Sequence, residues 1–168
     1  MQTSLGVDKS NHAALNRAVP TGLLVLYASA SGNAEQLALA AAESLGAEGH
    51  ATTVHNVADF PAGRLREWDV ALLVVSTWGE GRPPPEAEEF CAALAAPESL
   101  GLTGLRYAVL ALGSSMYADF CACGRQVDAD LARHGATRLV ARVECDTKFK
   151  SGYERWLAAV RDVLEKSA

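Results

Sequence analysis

The chain has few of the groups that staple, metallate or anchor a protein. Its four cysteines, Cys91, Cys121, Cys123 and Cys145, contain no C-x-x-C pair, which argues against a metal ribbon or a redox dithiol and leaves them as small buried apolar side chains. The four histidines, His12, His50, His55 and His134, are scattered and give no metal or triad spacing. Positive charge is short as well. Fifteen Lys and Arg against twenty Asp and Glu give a net charge of -5, so a nucleic-acid surface is not expected and a basic protein partner suits the chain better. No run approaches the ~18 to 20 apolar residues of a membrane helix, and the start lacks the basic-then-apolar pattern of a secretory leader. Membrane insertion is therefore not expected, and cytoplasmic residence is the default.

What is present is ordinary globular material. With 49% hydrophobic and 21% charged residues over 168 positions, the chain can bury one core unaided, and a monomer is expected. Residues 1–20 show no sustained periodicity and end in Pro20, so they read as a flexible tail or linker before a domain over 21–168.

Short apolar runs predict strands over 22–28, 51–57, 70–77, 106–112 and 138–143, the second less buried than the others. Between them lie helical segments at 34–44, at 86–96 after Pro83, Pro84 and Pro85, and at 123–134 ahead of Gly135. A final helix carries Tyr153, Trp156, Leu157, Val160, Val163 and Leu164 on one stripe. Alternating strands and helices predict an α/β three-layer sandwich, a five-stranded parallel sheet with helices on both faces.

In such a sheet the strand C-termini share one edge, where ligands bind. The loop after the first strand holds Ser29, Ala30, Ser31, Gly32, Asn33 and Ala34 and runs into a helix. Its backbone N–H groups can cradle a phosphate at the helix N-terminus; alternatively Ser29 and Ser31 only cap that helix. The loop has no lysine, which excludes a P-loop nucleotide site. The loop after the third strand holds Ser76, Thr77, Trp78, Gly79, Glu80 and Gly81. Trp78 at a loop tip exposes a costly apolar surface unless a flat ligand covers it, or else it folds back into the core. The loop after the fourth strand holds Leu112, Gly113, Ser114, Ser115, Met116, Tyr117, Phe120 and Cys121. Tyr117 offers a second ring for stacking, while Phe120 reads as core.

Together these motifs resemble the flavodoxin family, including the FMN domains of diflavin reductases such as sulfite reductase flavoprotein. SASGNA at 29–34, STWG at 76–79, LGSSMYADFC at 112–121 and DADLARHGA at 128–136 carry the resemblance, which spans residues 22 to about 160. It implies the flavodoxin-like strand order 2-1-3-4-5 and noncovalent FMN. Residues 29–34 would hold its phosphate, Trp78 and Tyr117 would flank the isoalloxazine, and residues 113–121 would line the pyrimidine side. Three positions depart from the pattern: Ser114 stands where many relatives have Asp, Met116 where many have Ser, and Ala30 where Gln or Thr is common.

The implied function is electron carriage between a flavin reductase as donor and a basic-surfaced acceptor. Two alternatives stand beside it, the FMN module of an NADPH-dependent diflavin reductase and an autonomous FMN quinone reductase. The chain has no room for a second nucleotide-binding domain, so turnover from NADPH would need another polypeptide or a lost C-terminal part. No side-chain nucleophile or base is required, because the flavin does the chemistry. The Trp78–Gly79 peptide is expected to reorient on one-electron reduction so that its carbonyl accepts from the flavin N5, since glycine tolerates both conformations. Glu80, Glu86, Glu88, Glu89 and Asp119 would steer a basic partner, although Glu86 and Glu89 equally suit a solvated helix face. A receiver domain would need carboxylates at the ends of strands 1 and 3, and a low-molecular-weight phosphatase a cysteine and an arginine in the first loop. The strand ends read Ala28-Ser29 and Ser76-Thr77, and the first loop, residues 29–34, has neither cysteine nor arginine, so both fit poorly.

Overall fold

A computed structural model describes residues 22–167. The tail or linker expected at 1–20 lies outside the described residues. The strands are β1 (Leu23–Ala28), β2 (Thr52–Asn56), β3 (Val70–Ser76), β4 (Arg106–Leu112), β5 (Thr137–Arg138) and β6 (Val143–Cys145). The helices are α1 (Asn33–Ala47), α2 (Glu88–Ala95), α3 (Ala122–Arg133) and α4 (Lys150–Lys166). Every strand pairing is parallel, in the order β2-β1-β3-β4-β5, with β6 also paired to β4.

Why the middle of the sheet is so apolar follows from its two covered faces. All of β3 is buried, and β4 is buried throughout except at Arg106. One face packs Leu24, Leu26, Leu73 and Val109 against Phe60, Phe90, Leu94, Val127 and Leu131. The other packs Val25, Leu72, Val74 and Leu110 against Leu37, Ala41 and Leu45 of α1 and Trp156, Leu157 and Val160 of α4. Each of the Val, Leu and Phe side chains contributes about 1.5–3 kcal/mol by leaving water. Helix α3 lies tight on β4: a Cβ added at Gly124 would stand 2.4 Å from the Cβ of Ala111.

Two elements differ from the sequence expectation. The strand predicted at 138–143 is instead two short pieces, β5 and β6, with residues 139–142 outside the ladder. The physical reason is a carboxylate below the sheet edge. Asp128 of α3, 2% exposed, accepts from the Tyr107 hydroxyl at 2.6 Å and from Arg138 Nε at 2.9 Å, and it also holds Arg142. Satisfying both guanidinium groups takes the intervening residues off the ladder. Arg142 extends the network to Glu144 at 3.0 Å, which in turn binds Arg125 at 2.8 Å. The helix predicted over 86–96 opens instead as a 3-10 turn, Pro85–Ala87, before α2 begins. Burial, and then the bond to Asp128, raise the Tyr107 hydroxyl well above the ordinary tyrosine range, so it donates at any working pH.

A carboxylate this buried is costly to remove once cations depend on it. Asp128→Ala is expected to destabilise the fold by about 3 kcal/mol, toward the low end for a broken buried pair because both guanidinium groups reach water. A urea-denaturation midpoint unchanged from wild type would contradict that account.

Candidate functional site

The turn after β1 is shaped by its own side chain. Ser29 Oγ accepts the Gly32 N–H at 2.9 Å, and Gly32 takes a left-handed φ of 92° directly before α1. The N-cap residue Gly32 has no side chain to cap that helix, and the Ser29 hydroxyl is used one position ahead of its first turn. The first-turn N–H groups keep their partial positive charge available for an anion.

Two loops beyond β3 and β4 are extensions of the sheet ladder. Thr77 N–H donates to the Leu112 carbonyl at 3.1 Å, and Gly113 N–H to the Cys145 carbonyl at 3.0 Å. Thr77 Oγ1 accepts the Cys123 N–H at 3.1 Å, which fixes the start of α3 against the loop. Trp78 and Arg82 then close an antiparallel bridge, N–H to carbonyl at 2.8 and 2.9 Å, around Gly79 with φ 54° and Gly81 with φ 83°. The Arg82 guanidinium lies 5.8 Å from the Trp78 ring centroid. Trp78 is 45% exposed and Tyr117 63% exposed, so neither folds back into the core.

These loops enclose one cavity of about 580 Å³, within the range of roughly 300–1,000 Å³ usual for small-ligand sites. Of the residues singled out in the sequence, Ala30, Ser31, Asn33, Ser76, Thr77, Trp78, Gly79, Leu112, Gly113, Ser114, Tyr117 and Cys121 line it. Others stand apart, each for a visible reason. Ser29 and Gly32 are spent on the turn itself, and Ala34 is wholly buried within the first turn of α1. Glu80 faces solvent. Gly81 packs against the next loop, where an added Cβ would meet the Asp119 Cβ at 2.8 Å. Ser115 turns to Asp146, and Met116, 90% exposed, points away. Phe120 is half-buried beneath Arg125, whose guanidinium is 5.9 Å from its ring, so it is neither core nor lining.

Asp119, within the span 113–121, also lines the cavity; sequence reasoning missed Arg82, Asp146, Thr147 and Phe149, which line it too. The last three follow β6, a fourth loop at the same sheet edge. The signal was available: every parallel strand ends on that edge, so the loop after the last strand belonged with the other three. Asp146 matters most, because it brings a carboxylate to the loop where Ser114 lacks one. It accepts the Ser115 N–H at 3.0 Å, the Thr147 N–H at 2.8 Å, and the Ser115 hydroxyl. Those bonds, the Ser115 hydroxyl first, hold its carboxyl below its ordinary value of 3.8. Burial, and then the Glu144 charge, push the Cys121 thiol up to about 12, so it lines the cavity as a neutral group rather than a nucleophile. Among the described residues, no group of three or more His, Cys, Asp or Glu could hold a metal.

Comparison with known proteins agrees with this geometry. The flavodoxin family model matches residues 25–157. The chain belongs to the flavodoxin family. A flavodoxin from Streptococcus pneumonia TIGR4 superposes with a TM-score of 0.75 at 26% identity, over 86% of this chain and 98% of that one. Oxidised Flavodoxin 2 from Bacillus cereus gives 0.72 at 30% identity, over 86% and 99%. Among curated relatives, the sulfite reductase [NADPH] flavoprotein alpha-component of Bacillus subtilis (strain 168) is 39% identical over 150 residues, 89% of this chain and 25% of that protein. The corresponding component of Shewanella sp. (strain MR-4) is 36% identical over 148 residues, 86% and 24%. The chain thus spans about a quarter of the length of these relatives. FMN is the cofactor of the flavodoxin family, and the residues present fit it: an uncapped helix start for a phosphate, two exposed rings for a flat heterocycle, and main-chain loops for its polar rim.

The pinned carboxylate of the fourth loop has a pH signature. Because its folded-state value is depressed, the stabilisation it gives is present above the ordinary value and is lost as pH falls through the folded one. Ser115→Ala removes the leading donor, so the Asp146 carboxyl is expected to titrate at higher pH than in wild type when followed by carbon NMR. Coincident titration curves would contradict the assignment.

Proposed function

We propose that this chain holds one FMN noncovalently in the cavity between its loops and passes electrons through it, carrying them between a flavin reductase and a basic-surfaced acceptor protein. The observation that carries the reading is the convergence of Trp78, Tyr117 and the uncapped start of α1 on one cavity. When bound, the flavin supplies the redox chemistry, and this chain's residues bind and orient it. Residues 30–33 and the first turn of α1 take the phosphate, Trp78 and Tyr117 the ring faces, and residues 112–114 with 146–149 the polar edge. The Trp78–Gly79 peptide can turn only by giving up the bond from Arg82 N–H to the Trp78 carbonyl, so Arg82 sets the cost of any such reorientation.

Glu80, Glu88, Glu89 and Asp119 are exposed on or just after the same loops, where they favour approach of a basic partner. Reduction rates of such a partner should fall as ionic strength rises. A cytoplasmic, monomeric carrier is consistent with a fold in which no described helix is long and apolar enough to cross a membrane.

A second reading has its own support. Similarity to sulfite reductase flavoproteins over only a quarter of their length suits the FMN module of an NADPH-dependent diflavin reductase. A third, an autonomous quinone reductase, would require steady NADPH oxidation by the purified chain alone. Rapid reduction only when an FAD reductase is added supports the carrier or module.

The cradle itself is tested directly. Purified protein should be yellow, and acid should release FMN from it in equimolar amount; protein that stays colourless after soaking with excess FMN overturns the reading. Trp78→Ala should weaken FMN binding by roughly tenfold, a stacking contribution of about 1.4 kcal/mol, measured by fluorescence titration of the apoprotein.

A further inference from the structure

The 29–32 turn is held from both sides, and the hold from behind comes from a residue distant in sequence. Glu86 stands in the 3-10 turn Pro85–Ala87, at the end of a segment whose φ angles are fixed by Pro83, Pro84 and Pro85. Its Oε1 accepts the Ser29 N–H at 3.2 Å, and its Oε2 accepts from Asn56 Nδ2 at 3.0 Å. The Asn56 amide is itself oriented, because its Oδ1 accepts the Ala58 N–H at 2.9 Å. One carboxylate therefore ties together the loops that follow β1 and β3 and the last residue of β2. Glu86 is exposed to solvent, but both of its carboxylate oxygens are engaged, unlike the free helix-face charge that the sequence also allowed.

None of Ser29, Asn56 and Glu86 lines the cavity, whereas Ala30, Ser31 and Asn33 do. The first N–H of the turn is thus engaged outside the cavity, and the donors on its inner side are left free of side-chain caps. A turn fixed before its ligand arrives loses less freedom on binding, and only the part of the ligand that meets the turn benefits. In a flavin that part is the phosphate, because the ring is held by other loops.

We infer that Glu86 is a positioning residue for the phosphate: its carboxylate braces the 29–32 turn from behind and so gives the cradle its preference for phosphorylated over unphosphorylated flavin. The inference rests on the FMN reading above. A carboxylate acting instead as a nearby negative charge would have the opposite sign, since removing it would relieve repulsion of the phosphate.

The test compares FMN with riboflavin on apoprotein, by fluorescence titration, for wild type, Glu86→Ala, Glu86→Gln and Asn56→Ala. Glu86→Ala is expected to weaken FMN about tenfold and riboflavin less than twofold. Glu86→Gln, which keeps an acceptor for the Ser29 N–H, should recover most of the loss, and Asn56→Ala should weaken FMN by a smaller factor in the same direction. Equal losses for both flavins would mean a general structural role, and tighter FMN binding by Glu86→Ala and Glu86→Gln would mean simple charge repulsion; either overturns the inference. Wild type that binds neither flavin overturns the FMN reading and this inference with it, whereas wild type that prefers FMN with unchanged variants overturns the inference alone.

Discussion

The burial of the central strands on both faces is the constraint from which the rest follows. With β1, β3 and β4 covered by helices above and below, little polar chemistry is placed along them beyond Tyr107 and its Asp128 partner, and most of it collects where the chain leaves the sheet. Parallel pairing brings those exits to one edge. The ladder does not stop at the strand ends, because Thr77 and Gly113 each donate one further rung to a neighbouring strand. The loops that bound the cavity therefore inherit their positions from the sheet, which is how short irregular segments come to hold a fixed shape.

Charge is divided along the cavity. At the α1 end there is no cationic side chain in the turn, only N–H groups and the helix dipole. At the other end two carboxylates, Asp119 and Asp146, and one guanidinium, Arg82, line the wall. Asp146 is immobilised by three donors, while Arg82 is held through its main chain and lies over an indole. A fixed negative charge and a tethered positive one thus face the region assigned to the flavin ring, and both come from positions outside the motifs that carry the family resemblance.

Much of the fold was legible because its signals are local. The apolar runs of β1, β3 and β4 and the stripe of α4 were read to within a residue or two, and three of the four cavity loops were found from the edge rule and their glycine, hydroxyl and aromatic content. What was not legible depends on partners far apart in the chain. The break between β5 and β6 comes from Asp128 meeting two arginines, which no hydrophobic pattern records. Glu86 looked like one of several helix-face acids until Ser29 and Asn56 were seen beside it. The loop at 146–149 carries no glycine-rich signature, so only its place after the last strand could have pointed to it. Phe120 shows the opposite error, an aromatic read as core that is sheltered by an arginine instead.

Trp68 and Trp156 are 7% and 0% exposed, and Trp78, the third indole of the chain, is the one open to water. Quenchers dissolved in the buffer can reach that ring and not the other two, so the accessible fraction of the intrinsic emission reports on the mouth of the cavity alone. The molecule thereby carries its own optical gauge of site occupancy, with no label attached.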